Sequence, residues 1–311
     1  MTAANTVVAI CNRALQHCGV GASDRITALT DDTKYAAAVN FVYDRLRQAE
    51  LRRNLWSFST RRQVLRPITT DDKIVTFPTY SAVVTYDLND IVVSSGIYYR
   101  SLSAANIANT PATATTYWEV YNGPLVATLY DSTVPFYAGE VLYSNTTTYL
   151  VLVKIDAGDT PVDGTDWHVL DTTSAVPTLS ATTYTSPVSG RTYAFNLPRD
   201  FLRMAPEDPK YISQPNDYLI ENKQIITDNS SPIFLRYVRD EEDPTKFDPL
   251  FNEGLSCRIA LEVCEELTQS STKLANIAAK YNQAIGDARL VDAIERGPTE
   301  AEEDDLITVR R

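Results

Sequence analysis

The stretch Asp248–Ala293, DPLFNEGLSCRIALEVCEELTQSSTKLANIAAKYNQAIGDARLVDA, decides the fold. Asp248 suits a helix N-cap because its carboxylate accepts from the first free amides, and Pro249 suits the first helical position, where a missing N–H costs nothing. Leu250, Phe251, Leu255, Ile259, Val263 and Leu267 follow at helical spacing. The pattern breaks at Gln269–Ser270–Ser271, resumes through Leu274, Ile277, Ala278, Tyr281, Ile285, Ala288 and Val291, and stops at Gly297–Pro298. The reading is two long helices across a short polar turn, each apolar on one face. Such a hairpin must bury that face against something else.

The lid is expected from the other end of the chain. Val7, Ile10, Cys11, Ala14 and Cys18 form one apolar stripe ended by Gly19. A second helix is expected to open at Asp31–Asp32, with Tyr35, Val39, Val42, Leu46 and Ala49 on one face and Arg52–Arg53 near its end, as the helix dipole favours. The predicted fold class is α+β: a four-helix bundle from the two chain ends with a small antiparallel sheet, plus an inserted all-β region. The predicted division is a discontinuous helical domain at 1–75 and 186–298, a β insertion at 76–185, and an acidic tail at 299–311.

Composition narrows the function classes. Of 311 residues 44% are hydrophobic, but no apolar run approaches membrane-spanning length, and no membrane partner is expected. The N-terminus lacks a basic region followed by an apolar one, so no signal peptide is expected. Cys11 and Cys18, like Cys257 and Cys264, are two helical turns apart and are expected as buried free thiols in a reducing cytosol. The four cysteines and two histidines lack metal-site spacing, so neither a metal nor another cofactor is expected. The net charge of −12 disfavours a general grip on nucleic acid, although an acidic wall lets DNA slide past. Against that total, Arg45–Arg66 holds seven arginines and one acid. Arg52, Arg53, Arg61 and Arg62 are either a solvated face or an interface to an acidic partner.

Leu55–Arg62, with Trp56 and Phe58 alternating with small polar residues, reads as a strand leaving the helix. From about Thr76 charge thins out and short alternating strands dominate, with twelve of the eighteen tyrosines between Tyr80 and Tyr193. Tyr86, Asp90–Ser94, Tyr99 and Thr110–Pro111 recur fifty residues later as Phe136, Glu140–Ser144, Tyr149 and Thr160–Pro161, and Trp118–Val120 returns as Trp167–Val169. Two small β modules of one design are expected at about 86–121 and 136–170. They resemble the small carbohydrate-binding modules found beside chitinases and on phage tail proteins. They depart from that family by lacking a Trp before the first aromatic. Their aromatics are expected chiefly as core, with Tyr98 and Tyr117 as candidates for stacking on a sugar face. Tyr218–Ile220, Gln224–Ile226 and Ile233–Val238 read as strands of one small antiparallel sheet beside the helices. The last six residues, Leu306, Ile307, Thr308, Val309, Arg310 and Arg311, read either as disordered or as a strand added to a partner's sheet.

No P-loop, GxGxxG, HExxH, GxSxG or paired CxxC is present. His17 is expected as a partner for a helix C-terminal dipole, and His168 has no counterpart in the first module. No catalytic residue is expected, and the chain is read as not an enzyme.

The helical framework carries a second resemblance. Asp31–Tyr35 leading to Arg52–Phe58, then Leu197–Arg203, the Tyr218–Tyr237 strands, Asp248–Phe251, Ala260–Glu262, Leu267–Ser270 and Tyr281–Ala293 occur in an order similar to the head-to-tail adaptor, or tail tubular protein A, family of short-tailed bacteriophages. The resemblance covers both ends and omits the insertion. It implies a virion protein made in the bacterial host cytoplasm. It also implies a homo-oligomeric ring, usually a dodecamer, between the portal protein and the tail nozzle protein, with DNA passing through its lumen. Terminal segments of such proteins latch onto the portal, which makes Leu306–Arg311 the portal-binding candidates. The insertion would then project outward towards a tail fibre or a host glycan. An attachment protein whose modules bind glycan or anchor a fibre is the alternative.

Overall fold

The structure, a computed structural model, describes residues 6–170, 176–182, 190–206 and 217–296. Among the described residues it is an α+β protein with four α helices and several sheets. The chain divides into two compact units, one of Met1–Arg62, Asp200–Ile212 and Arg236–Arg311, the other of Gln63–Arg199 and Ser213–Leu235. The second unit thus begins upstream of Thr76 and takes in the 213–235 segment.

In the first unit, α1 (Val7–His17) is capped by Thr6, whose hydroxyl accepts from the Ala9 amide, and it ends at Cys18 before Gly19 turns away at φ +85°. Helix α2 (Lys34–Arg53) is capped by Thr33. The helix therefore opens later than the expected Asp31–Asp32. Asp31 instead accepts from the Thr27 and Ala28 amides and closes its own turn, a local bond that competes with helix formation. The expected face of α2 is buried at Val39, Val42 and Leu46, with Tyr35 packed against the core; at its end Ala49 is exposed, while Glu50 and Leu51 are buried.

Asp248 caps α3 (Pro249–Thr268), accepting from the Leu250 and Phe251 amides. Gln269, left-handed at φ 51°, ends α3, and Ser270 caps α4 (Ser271–Glu295). Side chains from all four helices share one apolar cluster, with Leu15, Val39, Leu46, Phe251, Leu255, Ile259, Ile277 and Ile285 among them. Fully burying each large aliphatic or aromatic chain is worth roughly 1.5–3 kcal/mol. Trp56 closes one end, its ring 5.1 Å from that of Phe251 in a T-shaped pair. The stretch around it is no extended strand: Ser57–Ser59 is a 3-10 turn, and β1 (Thr60–Leu65) starts after it. All four cysteines are buried and free, and burial pushes the Cys11 and Cys18 thiols up to about 12.

The second unit holds β2 (Lys73–Thr76) and two three-stranded meanders: β3 (Ile91–Ser94), β4 (Ile97–Ser101) and β5 (Trp118–Val120), then β7 (Val141–Ser144), β8 (Thr147–Val151) and β9 (Trp167–Val169). Between them runs β6 (Val126–Leu129), and β10 (Thr178–Ala181) follows. The first meander is a sheet by itself; the second extends a six-stranded sheet ordered β10-β2-β6-β7-β8-β9. The meanders are built alike. Tyr80 stacks on Tyr86, and Tyr130 on Phe136, each pair 5.8 Å apart at 26°. Trp118 and Trp167 meet those pairs edge-on.

Strands β11 (Tyr193–Asn196), β13 (Leu219–Glu221) and β14 (Gln224–Thr227) form a separate sheet ordered β11-β14-β13. Strand β15 (Ile233–Arg239) lies instead between β1 and β12 (Phe201–Met204). The single sheet expected from Tyr218 to Val238 is therefore two. The turn at Asn222–Lys223, with both φ values positive, closes a tight hairpin. The five residues from Asp228 to Pro232 instead carry the chain out of that sheet.

Candidate functional site

The arginine-rich segment is the densest charged surface read from the sequence, and its members separate into different environments. Arg47 is buried and donates to the Asp240 carboxylate and, at 2.7 Å, to the Glu241 carbonyl, fastening α2 to the chain after β15. Arg53 donates to the Tyr281 hydroxyl at 2.8 Å, which donates in turn to Glu50 Oε1 at 2.8 Å. Arg258 stands 3.7 Å from the same carboxylate. Burial, then the bond to Glu50, pushes the Tyr281 phenol up to about 12. Arg61 faces Asp200 at 3.7 Å. Burial raises the Asp200 carboxyl above its ordinary value, although the Tyr237 hydroxyl donates to it. Among the described residues Arg52 and Arg62 are exposed and form no ion pair, so two of the four interface candidates stand clear of internal partners. The portal-binding candidates Leu306–Arg311 lie outside the described residues.

The two sugar-stacking candidates are not brought together. Tyr98 packs edge-on against Phe77, and the Arg199 guanidinium covers one face of its ring at 4.5 Å. Tyr117 is 40% exposed. Its carbonyl accepts from the Leu102 amide, whereas that of Tyr98 accepts from Tyr121. Four residues along a strand separate the two positions, about 13 Å.

Each meander is preceded by a buried acid that accepts from the amide three residues upstream: Asp90 from Asp87 and Glu140 from Tyr137. Asp72, before β2, does the same with Thr69. Their second oxygens differ. Asp90 meets His168 Nε2 at 3.0 Å, which gives that histidine a role between the two modules. Glu140 accepts from Arg66 Nε at 2.5 Å. The Asp72 Oδ1 is buried with no hydrogen-bond partner, and burial raises the Asp72 carboxyl above its usual range. Arg66, Asp72 and Glu140 line a cavity of about 320 Å³ together with Asn122, Leu125 and Gln224, at the small end of ligand-sized sites. No motif announced it, because its walls come from segments far apart in the chain. The recurring acid before each strand was the one signal available.

His17 does more than close a helix. Its Nε2 faces both Glu253 and Cys257 of α3. Burial lowers its pKa below the ordinary imidazole value and pushes the Cys257 thiol up to about 11. One nitrogen serving both neighbours cannot relay a proton across the ring, and Cys257 is wholly buried, so this trio is not arranged for nucleophilic attack. The sequence matches no family model and no curated protein. No described helix is long and apolar enough to cross a membrane.

Proposed function

We propose that this protein is a structural subunit of the head-to-tail adaptor ring of a short-tailed bacteriophage virion, joining portal to tail nozzle and serving as a conduit for DNA. In this reading the helices of the two chain ends form a four-helix bundle that builds the ring wall, and the β region is an insertion carried outside it. The observation that carries the reading is a set of large apolar side chains left open at separate places on the helical unit: Phe41 on α2 is 85% exposed, and Leu290 and Ile294, one turn apart on α4, are 62% and 70% exposed. Large side chains this exposed on well-formed helices suit contacts between copies. Exposed Arg52 and Arg62 offer bidentate contacts to an acidic partner, and an overall charge of −12 suits a lumen that repels DNA rather than holding it. Co-expression with the portal protein followed by electron microscopy tests the proposal: a second ring stacked coaxially on the portal is expected, and two proteins that do not associate would refute it.

Tyr117 keeps a second reading in view, an attachment protein whose modules bind glycan or anchor a fibre. A half-exposed aromatic beside a structural Trp is the one feature of the modules that favours it. Glycan-array binding lost in Tyr117→Ala would support it; no binding by the intact protein would remove it.

A further inference from the structure

His17, Glu253 and Cys257 converge where the end of α1 meets α3. Glu253 and Cys257 are four residues apart on α3 and so project from one side of the helix. His17 is the last residue of α1. Its Nε2 stands 3.2 Å from Glu253 Oε1 and 3.5 Å from Cys257 Sγ, and the three ligand atoms all lie within 4.8 Å of one another. The histidine side chain and the thiol are almost wholly buried, while Glu253 opens to solvent.

A neutral imidazole nitrogen carries either one proton or one lone pair, and here Glu253 and Cys257 share it. A single small dication would bond all three ligand atoms separately. Usual zinc bond lengths at the tetrahedral angle give edges of about 3.4 Å for N–O and about 3.6 Å for N–S, close to the two distances observed. Nitrogen, thiolate and one carboxylate also form a donor set of borderline softness, which selects zinc-like ions over magnesium or calcium.

We propose that His17, Glu253 and Cys257 bind one zinc-class divalent ion that ties α1 to α3. On binding, the thiol proton passes to solvent, the sulfur, imidazole nitrogen and carboxylate oxygen each form one bond to the ion, and water completes the coordination. Arg13 orients the carboxylate: it donates from Nε to Oε2 at 3.0 Å and from Nη2 to Oε1 at 2.8 Å, as outer partners of metal-bound carboxylates do. The site is independent of the adaptor reading and stands or falls separately.

The test is titration of the chelator-stripped, reduced full chain with Co²⁺, followed by displacement with Zn²⁺. Saturation at one equivalent is expected, with a sulfur-to-cobalt charge-transfer band and the intense visible bands of four-coordinate cobalt. Cys257→Ala removes the charge-transfer band and His17→Gln weakens binding by at least about 100-fold, while Cys264→Ala changes neither. Glu253→Gln, on the open side of the site, serves where a buried variant does not fold; affinity is expected to fall with helical circular dichroism intact. A wild-type protein without the sulfur band, a band that survives Cys257→Ala, or unchanged affinity in Glu253→Gln would overturn the proposal.

Discussion

Phe41→Ser separates assembly from folding. Full burial of a phenylalanine side chain is worth up to about 3 kcal/mol. At 85% exposure, the folded subunit gains only about 0.4 kcal/mol of this, leaving about 2.5 kcal/mol to be gained on contact. Phe and Ser have similar helix propensities, so the backbone of α2 should not notice the change. The side chain borders a depression with Ala37, Arg45, Glu262 and Glu266, which also includes the buried Ala38, Val42 and Val263. Urea unfolding of the isolated subunit is therefore expected to shift by less than about 0.5 kcal/mol. Contact between copies is expected to weaken by about 60-fold per interface, and a subunit in a closed ring makes two. Sedimentation and electron microscopy of the chain co-expressed with portal provide the readout, with Ile294→Ser as a companion on α4. Rings formed by both variants at wild-type concentration would refute the assignment of these exposed apolar side chains to subunit contacts.

Other substitutions test the interior and the tail. Deleting residues 299–311 is expected to weaken portal association while leaving the unfolding transition unchanged; equal pull-down by the truncated chain would remove the latch. Arg66→Ala strands the buried Glu140 carboxylate and is expected to cost roughly 3–5 kcal/mol, only part of it recovered in Arg66→Met with Glu140→Leu because Leu also removes the acceptor of the Tyr137 amide; denaturant titration of both variants checks the pair. Asp72→Asn is expected to stabilise the protein by about 1 kcal/mol at neutral pH. Because the folded pKa of Asp72 is raised, its charge penalty grows as pH rises from the unfolded value of about 4. The gain from Asn must therefore vanish in acid, and a gain that is constant with pH would contradict this account. At Gly254 a Cβ would meet Ile285 Cδ1 at 3.1 Å. Gly254→Ala should be nearly neutral, since about 1 kcal/mol of helix propensity offsets a rotamer shift, whereas Gly254→Leu should cost about 1–3 kcal/mol in the same assay.

The α3–α4 hairpin was legible because capping and periodicity agree along it: Asp248, Pro249 and the stripe to Val263 all specify one helix. The fifty-residue spacing likewise revealed two meanders of shared design before any strand was paired. Legibility failed where a local bond competes with a regular element. Asp31 prefers its own turn to the helix dipole, and Trp56–Ser59 folds back because the indole and Phe58 ring both find Phe251. It failed also where pairing is decided at a distance, as with β15, whose alternation does not say which sheet receives it. Candidate sites suffered most. The His17 cluster joins residues 240 positions apart, and its Glu253–Cys257 spacing was hidden behind the more visible Cys257–Cys264 pair. The cover that Arg199 lays on one face of Tyr98 was equally hidden, because the two are remote in sequence.

The repeated acid before each strand has a consequence for how such a region grows. The amide-accepting oxygen does the same backbone work each time, so a copied segment arrives with its turn already specified. Its other oxygen is met differently each time: Asp90 faces His168 from the later copy, Glu140 faces Arg66 just after β1, and the Asp72 Oδ1 has no hydrogen-bond partner. Duplication thus supplies shape without supplying neutralisation. A further copy inserted here would bring its turn with it, while its surroundings would decide what its second carboxylate oxygen meets.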